Sequence, residues 1–393
     1  MRRVAIVGVG QTKYQSRRDD CSYDELVFEA VNRAFEGVDL TIKDVQAMVF
    51  SLAPDSLSGL SNAERCCVGA IGAQDKPFMR VNTGGSTGIS AVQVGFYHVA
   101  SGAFDVVLVA GADRVGESGD AQTILNKMWD PYYERPLPLN AINMLALSAV
   151  RYMHKYGMTE EHMALVTVKD RRNAAKNPYA HIRKPATVEE VMASRVISWP
   201  IKLFDACPQS SGGCAIILCS EEWVRKVTAR PAWIQGVGHH SETYFMGDRM
   251  GPKRINDHAD AEAKGQAIRK AYRMAGIEDP RREIQVAELY APFSNTEYHA
   301  IDAAGFFPKG ESLKLMEKGF FNLDGEIPIN PSGGVLCSNP IAVTAMVRVG
   351  EAALQVMGSA GERQVPGARK ALATGNGGDH QFFGAVIVGS EKN

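Results

Sequence analysis

Val81–Ser90 reads VNTGGSTGIS. It closes a short run, Phe78-Met79-Arg80-Val81, and opens a second apolar run, Ala91-Val92-Gln93-Val94-Gly95-Phe96-Tyr97. Gly84 and Gly85 permit backbone angles that side chains forbid. Ser86 and Thr87 are favoured helix N-caps. The stretch therefore predicts a strand end, a tight elbow and a helix N-terminus. Free N–H groups and the positive end of a helix dipole then face whatever sits in front. Taken alone, a Gly-Gly pair also marks a plain structural turn.

Asn330–Pro340, NPSGGVLCSNP, repeats the pattern: an Asn, a Gly-Gly pair, then an apolar helical run from Ile341 to Leu354. The flanks repeat as well. Upstream of the first elbow lie a strand from Val4 to Val9, a helix from Asp24 to Phe35 and a strand from Ala47 to Phe50. Upstream of the second lie a strand from Ala232 to Val237, a helix from Gly265 to Met274 and a strand from Val286 to Tyr290. Apolar strands follow both elbows, Phe104–Gly111 and Phe383–Gly389. One unit is used twice, an internal duplication at domain scale. Two equivalent elbows then face one cleft.

The 393 residues suffice for two domains of ordinary size. Lys and Arg number 43 against 44 Asp and Glu, so neither a polybasic nucleic-acid surface nor an acidic tail is present. No apolar run approaches the roughly 20 residues of a membrane helix. Met1-Arg2-Arg3 followed by apolar residues stops at Gly8-Val9-Gly10, too short for a signal peptide, and reads as the first buried strand. The seven cysteines form no CxxC pair, which argues against a structural zinc site within this chain. Their odd number suggests a reducing, cytoplasmic setting.

The strands are apolar on both faces, as in a parallel sheet covered by helices. Gly8-Val9-Gly10 lacks the third glycine of a dinucleotide loop. Residues from about 113 to 198 lose the strand–helix alternation and read as a loop and helical insertion. Tyr132–Pro138 breaks regular structure, and helices follow over Leu145–Tyr156 and Glu160–Asn173. Basic residues gather at Lys169, Arg171, Arg172, Lys176, His181, Arg183 and Lys184. They read either as a solvated face or as a site for a phosphorylated, CoA-like handle. Thr228-Ala229-Arg230-Pro231 is the expected linker, giving halves of 1–228 and 229–393.

Five segments in order, VAIVGVGQTKY, YMHKYGMTEEHMALV, ACPQSSGGCAIIL, INPSGGVL and RQVPGARKALATGNGG, resemble the thiolase superfamily, its sterol-carrier-protein-type and archaeal branch. The resemblance spans nearly the whole chain. It implies a duplicated, five-layered αβαβα fold, a homodimer, and CoA-thioester chemistry beside facing elbows, with coenzyme A as substrate and no metal. The family's catalytic residues are missing. Its nucleophilic Cys falls on Gly85, its activating His on Asn339, its strand-end His or Asn on Tyr290, and its second Cys near Gly375. A glycine carries no nucleophile.

The remaining candidates are read residue by residue. Cys337, two positions before Asn339, is either a nucleophile moved to the opposite wall or a small buried core residue. Tyr290 is either a phenol for proton transfer or a packed strand-end aromatic. His380, between Asp379 and Gln381, is a candidate acid or base. Asn82, Gly85, Ser86, Asn339 and Gly378 are candidates for substrate and oxyanion contacts. Arg171, Arg172 and Lys184 are candidates for CoA.

The resemblance implies carbon–carbon cleavage or formation in an acyl-CoA. The leading expectation is thiolysis of a bulky, aryl β-ketoacyl-CoA such as 2-benzoylsuccinyl-CoA. A retro-aldolase acting on a β-hydroxyacyl-CoA and a non-catalytic partner subunit are the alternatives. The resemblance also implies a second, small subunit with a zinc ribbon and an OB-like barrel. Met128, Trp129, Tyr132 and Tyr133 are candidates for that contact.

Overall fold

The structure is a computed structural model that describes residues 1–137, 139–227, 230–249, 257–378 and 380–392. Pro138, the linker residues Thr228 and Ala229, and Asp379 beside His380 lie outside the described residues.

Among the described residues, eleven strands run in chain order: β1 (Val4–Gln11), β2 (Ala47–Ser51), β3 (Phe78–Val81), β4 (Val106–Arg114), β5 (Val196–Ser198), β6 (Ile201–Lys202), β7 (Ser211–Ser220), β8 (Ala232–Ser241), β9 (Val286–Glu288), β10 (Lys370–Gly377) and β11 (Phe382–Gly389). Nine of them form one sheet in the order β3-β2-β4-β7-β1-β8-β11-β10-β9, and β5 and β6 pair separately. Its centre is a short seam where Ala5 meets Trp233 and Ile6 meets Ala232. Outward from that seam the halves match, β1-β7-β4-β2-β3 on one side and β8-β11-β10-β9 on the other. Ile329 bridges Ala287 of β9 in parallel, where β3 stands beside β2 in the first half.

The strand directions correct the parallel reading. β2 is parallel to β3 and β4, and β9 to β10. β1 and β7, like β8 and β11, are antiparallel to their neighbours. Helices cover both faces whichever way a strand runs, so an apolar strand here reports burial and not direction.

Layering follows from which helices are apolar all round. Thr87–Ala100 and Ile341–Met357 pack against each other and touch strands of both halves. Ile341–Met357 carries two charges, both buried and both paired: Arg348 with Glu288, and Glu351 with Arg363. Buried charge needs such pairing. Tyr23–Phe35 covers the outer face of β1 and β7, and Glu262–Ala275 that of β8 and β11. The result is helix, sheet half, helix pair, sheet half, helix: the five αβαβα layers.

The insertion holds the expected helices, now Ala141–Tyr156 and Glu160–Ala174. The first begins four residues earlier than expected, because Asn140 caps it: its Oδ1 accepts from the N–H groups of Ile142 and Asn143, both at 2.9 Å. Both helices pack into one core with residues of the C-terminal half, including Ile268, Tyr298 and Ile301.

Candidate active site

The first elbow forms between β3 and the Thr87–Ala100 helix, with Gly84 in the left-handed region at φ +62°. Its side chains serve the turn. Asn82 Oδ1 accepts from Gly84 N (3.1 Å), and Thr83 N donates to Thr87 Oγ1 (2.9 Å). Ser86 is fully buried, and its hydroxyl donates to Thr83 O (2.8 Å). It stands at the helix N-cap without capping, and it lines neither of the two cavities beside Gly85.

The second elbow is built differently. Asn330 Oδ1 accepts from Leu289 N (2.7 Å), and its Nδ2 donates to Glu297 Oε2 (2.6 Å). After Gly333 a short helix, Gly334–Cys337, intervenes before Ser338-Asn339-Pro340 starts the long Ile341–Met357 helix. The Gly-Gly pairs are therefore not equivalent at the helix starts; Asn339-Pro340 stands there in the second half.

Tyr290 follows β9. Glu288, the last β9 residue, is fully buried, pairs with Arg348, and accepts from Ser332 N (3.0 Å) and Ser332 Oγ (2.8 Å). Tyr290 N donates to Thr374 Oγ1 (2.8 Å), and its carbonyl accepts from Lys264 Nζ (3.5 Å). These bonds run through the backbone and leave the hydroxyl to the cavity. A β-carbon built on Gly85 would lie 2.6 Å from that hydroxyl and 2.6 Å from the carbonyl oxygen of Asn376. The phenol of Tyr290 thus occupies the space that any side chain at residue 85 would need.

Gly85, Tyr290, Asn339, Gly378 and His380 line one cavity of about 210 Å³, together with Cys207 and Asn376. The insertion supplies its apolar wall, Val115, Leu125, Met144 and Leu145 among others. A second cavity of about 250 Å³ shares Gly85 and Gly378 and adds Asn82, Trp129, Tyr244 and Phe382. Asn82 lies there, next to the first cavity.

Cys337 stands apart. It is fully buried against Ala174 and Ala180, and it does not line the cavity. Burial pushes its thiol up, and Asp170 adds to the effect. The cysteine on the cavity wall is Cys207. Its N–H donates to Pro292 O (2.9 Å), and Asn339 Nδ2 donates to its sulfur (3.1 Å). The orientation of the Asn339 amide is fixed by Thr344 Oγ1, which donates to Asn339 Oδ1 (2.9 Å). Burial pushes the Cys207 thiol up to about 12, against the lowering effect of the Asn339 contact. Cys207 sits in an aperiodic loop, and its spacing gives no sign of a site; its place is set by contacts with Pro292 and Asn339, far off in sequence.

Burial raises the Tyr290 phenol, with the nearby Cys207 second, so the group is a proton donor at neutral pH. His380 moves the other way: burial first, then the charge of Lys264, hold its imidazole neutral. The cavity therefore offers a phenol O–H and a neutral imidazole.

The basic residues do not meet this cavity. Lys169 is buried in a cluster with Asp170 and Glu297. Arg171 is buried with its guanidinium 4.0 Å over the Phe204 ring. Arg172 and Lys184 are exposed. Of the residues read as a partner contact, Tyr132 and Tyr133 are exposed, Met128 is half-buried, and Trp129 is buried. No group of three ligating side chains able to hold a metal occurs among the described residues. None of the described helices is long and apolar enough to cross a membrane.

Residues 4–192 match the family "Thiolase, N-terminal domain", and residues 250–390 match "Thiolase C-terminal domain-like". The chain belongs to the thiolase family. An acetyl-CoA acetyltransferase of Methanothermobacter thermautotrophicus is 31% identical over 96% of this chain and 97% of its own. The benzoylsuccinyl-CoA thiolase subunit BbsB of Thauera aromatica is 26% identical over 96% of this chain and 95% of its own. Among solved structures, the Ltp2-ChsH2(DUF35) aldolase superposes with a TM-score of 0.83 at 27% identity, covering 98% of this chain and 97% of that one. In this chain residue 85 carries no side chain, and the hydroxyl of Tyr290 fills the space beside it.

Proposed function

We propose that this chain makes and breaks a carbon–carbon bond in an acyl-CoA without a covalent intermediate, by retro-aldol cleavage of a β-hydroxyacyl-CoA. The observation that carries the reading is the Tyr290 hydroxyl, 2.6 Å from where a β-carbon of residue 85 would stand. A thiolase nucleophile has no room there; a hydrogen-bond donor does. Retro-aldol chemistry needs a base and an enolate stabiliser and no thiol.

His380, neutral, takes the proton of the β-hydroxyl. The O–H pair becomes the new carbonyl bond. The carbon–carbon pair moves onto the acyl-CoA fragment as an enolate, whose oxygen receives the hydrogen bond of Tyr290. Protonation at the α-carbon releases the shortened acyl-CoA and an aldehyde or ketone. The apolar wall from the insertion suits a bulky fragment. The aldolase neighbour supports this reading.

Thiolysis is the second reading, favoured by the BbsB relative. With Cys337 away from the cavity, the attacking group would be the thiolate of CoA itself, on a β-ketoacyl-CoA such as 2-benzoylsuccinyl-CoA. The phenol and neutral imidazole lining one cavity speak for an enzyme over a non-catalytic subunit. We further propose a homodimer that works with a second, smaller protein of zinc-ribbon and OB-like build; the aldolase neighbour's name couples Ltp2 with ChsH2.

Product analysis decides between the two reactions. A β-hydroxyacyl-CoA incubated without free CoA should yield one thioester and one aldehyde or ketone. Cleavage that starts only when CoA is added, with two thioesters formed, would overturn the retro-aldol reading.

A further inference from the structure

His380 lines two chambers. The second is small, about 40 Å³, and is also lined by Glu242, Asp257, His258, Glu262 and His299. Four buried polar atoms around it have no hydrogen-bond partner among the described residues: Glu242 Oε2, His258 Nε2, His299 Nε2 and His380 Nδ1. Buried polar atoms are nearly always satisfied, so four around one chamber point to water between them. The ligating groups do not converge as a metal site requires. The volume suits a small number of waters, each needing two to four polar partners.

The imidazoles are held in place for this. His299 is 2% exposed, its ring stacks on Tyr152 at 4.7 Å between centroids, and its Nδ1 lies 3.3 Å from Ser148 Oγ. Only Nε2 is left without a partner. Burial first, then nearby positive charge, keeps all three rings neutral: Lys264 acts on His299 and His380, and Arg249 on His258. Asp257 and Glu262, which also line the chamber, are each 22% exposed and reach solvent.

We propose that this chamber is a water-filled proton relay that joins His380, and through it the reaction cavity, to bulk solvent by way of His258, His299 and Glu242. The proposal rests on His380 as the base of the cavity. Cleavage itself is proton-neutral: one proton leaves the β-hydroxyl and one arrives at the α-carbon. What the relay adds is exchange. With an acyl-CoA bound alone, the base breaks an α-C–H bond and the electron pair becomes the enolate. The imidazolium gives that proton to chamber water and takes one from solvent, which then returns to the α-carbon. The same protein therefore exchanges the α-hydrogens of an acyl-CoA with solvent when no carbonyl partner is present.

The probe is propionyl-CoA in D2O with the full-length protein, followed by loss of the α-hydrogen signal in NMR. The unmodified protein should deuterate the α-carbon. His299→Phe, His258→Leu and Glu242→Gln should each slow exchange by about tenfold or more, and cleavage much less, with exchange restored by added imidazole. Unchanged exchange in all three variants would overturn the relay. So would a parallel loss of exchange and cleavage that imidazole does not restore. His380→Gln separates the two claims: if it leaves cleavage intact, the base assignment has failed, whereas if it abolishes cleavage while the three variants exchange normally, only the relay has failed.

Discussion

At residue 85 the proposed mechanism rests on the absence of a side chain. Gly85→Ala places a β-carbon 2.6 Å from two oxygens, one the Tyr290 hydroxyl and one a backbone carbonyl. Overpacking of this kind costs about 1–3 kcal/mol, and displacement of the phenol should lower kcat by about 10²-fold or more. A melting curve and a rate measurement check the two effects separately; an alanine variant with full activity would contradict the role of this space. Cys337→Ala should behave in the opposite way, with near-parent kcat and a loss of roughly 1 kcal/mol for the cavity left in a packed site. The alignment of motifs made Gly85, Tyr290 and Asn339 legible as facing groups. It did not reveal Cys207, whose loop has no periodicity. Nor did it reveal that Lys169 spends its charge on Asp170 and Glu297, since Glu297 lies far away in the chain.

The long elements were legible because each has one dominant signal: continuous apolar strands, and helices whose polar residues are few. Their directions were not, since burial on both faces hides strand polarity. One such element carries a pH signature. Asp113 near the end of β4 is fully buried; its carboxylate accepts from Ala342 N (2.8 Å) at the start of the Ile341–Met357 helix and from Arg114 N (2.9 Å). Burial pushes it up to about 7 against the lowering effect of those bonds. The folded state then holds a proton that the unfolded state has released, between about pH 4 and 7. This contribution favours the fold at low pH and is lost as pH rises through 7. Asp113→Asn removes the titration. Denaturant unfolding of both proteins from pH 4 to 7 should show the parent losing stability relative to the variant as pH rises; a constant difference would contradict the assignment.

At the scale of the whole molecule, two copies of one strand order meet at a two-residue seam, and the cavity forms where their loops converge. The duplication was legible from the repeated elbows and flanks. The inequality of the elbows was not, because the short helix Gly334–Cys337 follows a Gly-Gly pair just as a long helix would. For the proposed homodimer, light scattering should give twice the 42.6 kDa of one chain; a monomer active by itself would contradict it. The proposed mechanism turns on the Tyr290 phenol as hydrogen-bond donor to the enolate oxygen. The direct measurement is the steady-state cleavage rate of Tyr290→Phe. Because the hydroxyl makes no hydrogen bond to the described residues, kcat should fall by about 10²–10⁴-fold with KM and melting temperature held. A phenylalanine variant that cleaves its substrate at the parent's rate would contradict it.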